Sequence, residues 1–307
     1  MIICCGDALI DMLPRMSGED QTCFLPAPGG AIFNTAIALA RLGEDVSFLS
    51  GISNDSFGQL LIESLHESNV DTKYCVRSQR PSTLAFVNFV DGDAQYTFYD
   101  ENSAGRMVLE ADIGPMPTSI NAMHFGGISL IEEPCGSTYE WLFNQRHSNT
   151  VLSLDPNIRQ NFIKDQAQHR ARVARMISKS DIVKVSDDDL VWIANGLSSE
   201  ALIQSWFDDA TKLVLVTHGS LGVTAFTSSI EVRRSADKAM VVDTVGAGDV
   251  FNAGILSGLN KFGLLTKKRL SSLSSESLES CLSLACKAAA FTVSQTGANS
   301  PWLDQLD

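Results

Sequence analysis

The feature that most constrains this chain is an alternation. Short apolar runs at Ile2–Cys5, Val46–Ser50, Ala122–Phe125, Val151–Leu154, Ile182–Val185, Leu213–Thr217 and Ala239–Val242 read as buried strands. Between them, helical spacing runs over 32–42, 56–68, 136–147, 166–178, 187–194, 199–209 and 249–262, and a final helix pair fits 274–295. Buried strands separated by helices predict an α/β fold with a mostly parallel sheet and helices on both faces. In such folds, ligands bind beyond the carboxyl ends of the strands.

One region departs from the alternation. Ser82–Val90 has a period of two, Asp91-Gly92 follows, and Asp93–Tyr99 resumes the strand pattern, which predicts a hairpin. Leu9–Leu13 and Thr22–Leu25 supply further strand candidates. Together they predict a small second sheet, a lid built from about 9–26 and 82–100, on one domain spanning 1–307. The hairpin is expected to expose Phe86, Phe89, Tyr96 and Phe98 and to make a homodimer contact. The Ser-rich stretch Ser271–Ser277 reads as a loop between helices.

Composition narrows the function. The chain has 307 residues, 44% hydrophobic and 19% charged, enough for a sizeable core. Its net charge of −13 argues against nucleic-acid or anionic-membrane partners. No run of 18 apolar residues suggests a membrane span. The start, Met1–Asp7, reads as a first strand rather than a signal peptide. Seven scattered cysteines, with no Cys-x-x-Cys pair, fit free thiols in a cytoplasmic protein. Cys4, Cys281 and Cys286 read as small core residues.

The segment Asp243-Thr-Val-Gly-Ala-Gly-Asp-Val-Phe-Asn-Ala-Gly254 carries the most chemistry. Gly246 and Gly248 sit where the chain turns into a helix, and unpaired N–H groups there make an anion site. Asp249 lies at its mouth. A carboxylate would repel a phosphate, but it suits a base that takes a proton from an attacking hydroxyl. Taken alone, the same aspartate equally fits an ordinary helix cap.

Other segments read as follows. Gly29 and Gly30 precede a helix bearing Asn34, whose amide can cap the helix or reach a ligand hydroxyl. Asp11 interrupts an apolar run, and a carboxylate there either meets solvent or accepts from paired sugar hydroxyls. Thr217–Gly222 is a small-residue turn at a strand end, suited to phosphate or ribose. Arg159 is a cation at a strand's carboxyl end, suited to a transferring phosphoryl group or to pairing with Asp155 or Asp165. Three acids, Asp187–Asp189, open a helix, where the dipole favours them; one of them could hold a hydrated Mg²⁺. The P-loop, His-Glu-x-x-His, Gly-x-Ser-x-Gly and Gly-x-Gly-x-x-Gly patterns are absent from the sequence.

Taken together, these segments resemble the ribokinase-like sugar kinases, the PfkB family, over almost the whole chain. Asp243–Leu256 resembles the family's carboxy-terminal signature and Gly29–Gly43 its amino-terminal one. Within the family, residues 6–14 and 98–106 look most like bacterial fructokinases. Many members carry Glu where Asp7 stands, and the Asn-x-x-Glu motif appears here as Ser186-x-x-Asp189.

The resemblance implies ATP-dependent phosphorylation of a sugar hydroxyl. Asp249 would be the base, with the anion hole of Gly246, Ala247 and Gly248, and Arg159, at the transferring group. Asp11, Gly29, Gly30, Asn34, Phe98 and Arg106 would bind the sugar. Lys184, Ser186, Thr217, Gly219, Gly222 and Gly248, with Cys286 and Ala289, would bind ATP. Asp189 would reach Mg²⁺ through water. Asp243, with the backbone near Val245 and Gly297, would hold a monovalent cation such as K⁺. Fructose is the expected substrate. The open alternatives are 2-keto-3-deoxygluconate, ribose or a nucleoside, or a non-catalytic sensor on the same fold.

Overall fold

In a computed structural model, the structure describes residues 1–18, 21–90, 93–145 and 149–306, without the side chains of 88–90 and 93–95. The Asp91-Gly92 turn and the side chain of Phe89 therefore lie outside the described residues. The described strands are β1 (Ile2–Gly6), β2 (Leu9–Met16), β3 (Thr22–Gly29), β4 (Val46–Leu49), β5 (Gly51–Ser53), β6 (Val76–Ser78), β7 (Leu84–Val90), β8 (Asp93–Tyr99), β9 (Ala122–Gly126), β10 (Val151–Asp155), β11 (Ile182–Ser186), β12 (Leu213–Thr217), β13 (Val223–Phe226) and β14 (Glu231–Arg234). The helices are α1 (Ala31–Arg41), α2 (Ser56–Glu67), α3 (Cys135–Asn144), α4 (Gln166–Ile177), α5 (Asp187–Ala194), α6 (Ser199–Asp208), α7 (Ala247–Lys261), α8 (Lys267–Leu270) and α9 (Ser275–Val293).

Eight strands form the main sheet in the order β14-β13-β12-β11-β10-β9-β1-β4. From β4 through β12 every pairing is parallel. A parallel sheet must be covered on both faces, and β1 shows how the sequence arranges it. Ile2 and Cys4 point into one apolar core, beneath α1, α7 and α9, while Ile3 and Cys5 point into the other, beneath α3 and α4. Side chains alternating between faces explain why such strands read as unbroken apolar runs. The strand order reverses beside β1, so a crevice opens at the carboxyl ends of β1, β9 and β10.

A second sheet, ordered β3-β2-β7-β8, is the expected lid. Its β2–β3 and β7–β8 pairs are antiparallel, and β2–β7 is parallel. Register separates its faces. Asp11, Ala85 and Phe98 are aligned on the inner face; Met12, Phe86 and Thr97 on the outer. Tyr96 and Phe98 stack on the inner face at 6.0 Å, so they are turned inward rather than presented outward as the sequence suggested. Phe24, Phe86 and Tyr99 form an edge-to-face cluster on the outer face.

Two expectations fail. Ala239–Val242 is not a strand: it pairs with no strand of the sheet, and Met240, Val241 and Val242 are exposed. The sheet is continued instead by antiparallel β13 and β14. The final helix pair is one helix, α9, preceded by the single turn α8. Ser274 stops the loop and starts α9 through a reciprocal cap with Ser277.

Helix starts differ by location. α2, α4, α5, α6 and α9 begin on Asp or Ser caps that occupy an N–H of the first turn. α1 and α7 begin on Gly30 and Gly246, at φ 114° and 78°, without a side-chain cap of their own. Those are backbone conformations that glycine adopts readily. No described helix is long and apolar enough to cross a membrane.

Candidate active site

The mouths of α1 and α7 face each other. Asn34 in α1 donates its amide to Asp249 Oδ2 at 2.9 Å, and the Thr35 hydroxyl lies 3.1 Å from the Asp249 carbonyl oxygen. Asp249 is buried in the first turn of α7. Burial pushes its carboxyl up to about 7; the Asn34 amide pulls the other way, Asp155 adds to the rise, and Lys184 and Arg159 oppose it. A buried carboxyl that titrates near neutrality can hold and release a proton at working pH.

Two cavities meet at this point. One, about 370 Å³, is lined by Asp7, Asp11, Gly30, Asn34, Tyr96, Phe98, Arg159, Gly246, Gly248 and Asp249, among others. The other, about 480 Å³, lies between the Thr217–Gly222 turn, the 236–241 segment, α7 and α9, and includes Ala247, Cys286 and Ala289. Thr244 and Gly248 line both. Val250 N–H bonds Gly246 O at 2.9 Å and Ala247 N–H makes a long 3.4 Å bond to Thr244 O, which leaves the N–H groups of Gly248 and Asp249 for an anion.

The first cavity is acidic. Its lid-side carboxylate, Asp11, rests against Gly29, and burial with neighbouring Asp7 pushes it up to about 7, opposed by Arg159. Asp7 is raised to about 6 by burial, against bonds from the N–H groups of Ala31 and Ile32. Its Oδ2 accepts Ala31 N–H at 2.9 Å, capping α1 from the end of β1 where Gly30 cannot.

Beneath the anion hole, Lys184 Nζ meets Asp155 Oδ2 at 2.9 Å, and Asn252 donates to the same oxygen at 2.7 Å. A Cβ on Gly248 would stand 3.1 Å from Lys184 Nζ, so this ammonium lies directly behind the hole. Burial alone would lower the Lys184 pKa, but the Asp155 carboxylate outweighs it and the value is raised.

The sequence pattern that defines the pfkB family carbohydrate kinases matches residues 1–305. The chain belongs to that family. A fructokinase of Rhizobium leguminosarum bv. trifolii is 50% identical over 91% of this chain and 85% of its own length. The crystal structure of a Xylella fastidiosa fructokinase with bound ATP superposes with a TM-score of 0.92 at 28% identity, covering 99% of this chain and 96% of that one. A Vibrio cholerae fructokinase in a fructose-, ADP- and calcium-bound form gives 0.82 at 26% identity, covering 97% and 94%.

Most of the residues expected to act in this pfkB kinase converge on the two cavities. Arg106, Ser186, Asp189 and Asp243 do not line either one. Arg106 is absent from the walls of both; its guanidinium bonds Glu132 at 2.7 Å, the Glu133 carbonyl at 3.1 Å and Asp100 at 3.3 Å. Ser186 caps α5 through Asp189 N–H at 3.0 Å. Asp189 accepts Ile158 N–H at 3.1 Å and borders a separate groove beside the first cavity. Asp243 accepts N–H bonds from Val245 at 3.0 Å and Gly297 at 2.9 Å, pinning the loop before α7.

The sequence reading missed Asp155 and Asn252, whose partners lie far along the chain, and gave Asp7 no role. It also missed the 236–241 wall. There the apolar signal was present, but it was assigned to the sheet.

Proposed function

We propose that this kinase transfers the γ-phosphoryl group of ATP to a primary hydroxyl of D-fructose, giving fructose 6-phosphate and ADP. The observation that carries this reading is Asp249, a buried carboxyl standing where a sugar-sized cavity meets a nucleotide-sized cleft across Gly248. Asp249 accepts the proton of the attacking hydroxyl. The N–H groups at the start of α7 and the Arg159 guanidinium receive the charge of the transferring group. Asp11, Gly30 and Asn34 orient the sugar, and the lid excludes water.

The charge balance of the cavity supports a neutral sugar. Asp7, Asp11 and Asp249 share it with the single cation Arg159 among its described lining residues. Such a site opposes the carboxylate of 2-keto-3-deoxygluconate. The 50% identity to a bacterial fructokinase supports the same assignment.

Magnesium on the triphosphate would neutralise phosphate charge. Among the described residues no group of three His, Cys, Asp or Glu side chains could hold a metal ion. Phosphate and water oxygens therefore suit it better than a protein cage, and Asp189 Oδ1 already accepts the Ile158 N–H. A monovalent cation beside the anion hole would rely on backbone oxygens of the loop that Asp243 pins. Free thiols throughout the described chain support a cytoplasmic setting, and the aromatic outer lid face supports a homodimer.

The test is coupled ADP release with MgATP against fructose, glucose, ribose, 2-keto-3-deoxygluconate, adenosine and fructose 6-phosphate. The expected result is the highest kcat/KM on fructose. Highest turnover on another acceptor would overturn the substrate. Tight binding of sugar and ATP with no turnover would overturn the kinase reading in favour of a sensor.

A further inference from the structure

Arg159 reaches the sugar cavity without a side-chain anchor. Among the described residues it makes no ion pair within 4 Å, and the one hydrogen bond of its guanidinium is a long 3.5 Å contact to the Ile158 carbonyl. Its position is therefore set by the backbone that carries it, the segment following β10.

That segment is held at several points. Asp155, at its start, is fixed by Lys184 and Asn252 and accepts Asn157 N–H at 3.2 Å. Asn157 turns the chain at φ 47°. Ile158 is buried, and its N–H donates to Asp189 Oδ1 at 3.1 Å. Phe162 packs on lid residue Phe98 at 4.8 Å. Arg159 lies immediately after the Asp189 anchor. Asp189 N–H in turn donates to the Ser186 hydroxyl at 3.0 Å, which fixes the first turn of α5 that carries the carboxylate.

We propose that Asp189 is a positioning residue: it tethers Ile158 N–H and so holds Arg159 at the phosphoryl-transfer point, and it is not a ligand of magnesium. A metal drawing Oδ1 away would leave a buried N–H unpaired. The inference deepens the kinase reading and rests on it for the role of Arg159.

The deciding comparison is Asp189→Asn against Asp189→Ala. The asparagine keeps an oxygen acceptor for Ile158 N–H but loses the charge a metal would need. Hydrogen exchange of residues 156–162, which requires no turnover, should quicken in Asp189→Ala and stay near the wild-type rate in Asp189→Asn. In the kinase assay, Asp189→Ala should lose ~10- to 100-fold in kcat/KM, as expected for a displaced charge-stabilising group, and Asp189→Asn should recover most of it. Neither should raise the Mg²⁺ concentration giving half-maximal rate. In an Arg159→Ala background, Asp189→Ala should add little.

Equal damage in both variants with a raised Mg²⁺ requirement would overturn the tether and restore a metal role. So would exchange at 156–162 that is indifferent to Asp189→Ala. If Asp189→Ala does not fold, the Mg²⁺ requirement and exchange of Asp189→Asn decide alone. Absence of turnover in the wild-type protein would count against the kinase reading, while exchange would still judge the tether.

Discussion

Asn34 and Asp249 are 215 residues apart in sequence and 2.9 Å apart in space. Their bond joins the first turns of α1 and α7, the two helices that start on glycine at the site. Through it, the helix that walls the first cavity orients a carboxylate that stands beside its junction with the second.

Replacing Asp249 with Asn removes the proposed proton acceptor and keeps the shape. We expect kcat to fall at least ~10²-fold, with an unchanged circular dichroism spectrum and melting transition close to wild type. Near-normal kcat would remove Asp249 from the mechanism.

The pH dependence follows from the same carboxyl. A base must be deprotonated to act, so kcat/KM should rise with pH and level off above an apparent pKa near 7. Asp11, also raised to about 7, contributes to the same limb, which belongs to the pair rather than to one residue. Asn34→Ala removes a donor that favours the charged form of Asp249. Its acid limb should therefore move to higher pH in a pH–rate profile; a shift to lower pH would contradict the bond's role.

The layout of this site was partly legible in the sequence. Parallel strands such as β1 announce themselves because both faces are apolar, and the glycine-to-helix junctions at 30 and 246 mark helix mouths locally. Asp155 was not legible: its partners Lys184 and Asn252 are 29 and 97 residues away, so no spacing reveals the network. Asp7 likewise caps α1 from 24 residues upstream. The 239–242 run misled for another reason. Apolar residues that wall a ligand cleft have the composition of a core strand, and only the pairing of β13 with β12 shows that the sheet has no place for them.

Asp11, the proposed sugar ligand, is held at a cost to stability at neutral pH. Its folded-state pKa, near 7, lies above the unfolded value of about 4. A carboxyl raised in this way favours the fold at pH below 4, and that contribution is lost as pH climbs through 7. Asp11→Asn should therefore raise Tm at pH 8 more than at pH 4, while raising KM for fructose. Calorimetry at the two pH values and steady-state kinetics would check both; an unchanged KM would take Asp11 out of the sugar site.

The outer lid face predicts assembly. Tyr99, 60% exposed, completes the cluster with Phe86 and Phe24. Tyr99→Asp places a charge in that patch and should shift sedimentation from dimer to monomer. A wild-type protein that sediments as a monomer at assay and higher concentrations would end the proposal of a lid dimer.

The Lys184–Asp155 pair makes the most direct energetic prediction. Both groups are buried, and Asn252 supplies a further donor to the same oxygen. Removing the ammonium with Lys184→Met leaves a carboxylate buried beneath the anion hole without its counter-charge, which typically costs ~3–5 kcal/mol. Removing both charges together avoids that penalty, so Lys184→Met with Asp155→Leu should be more stable than Lys184→Met alone. Urea unfolding of the two singles and the double closes the cycle. The double should nevertheless remain a poor enzyme. The field behind Gly248 is gone, and the turn that carries Arg159 has lost its first anchor. A double variant that recovers stability and kcat together would show that this pair serves the fold alone.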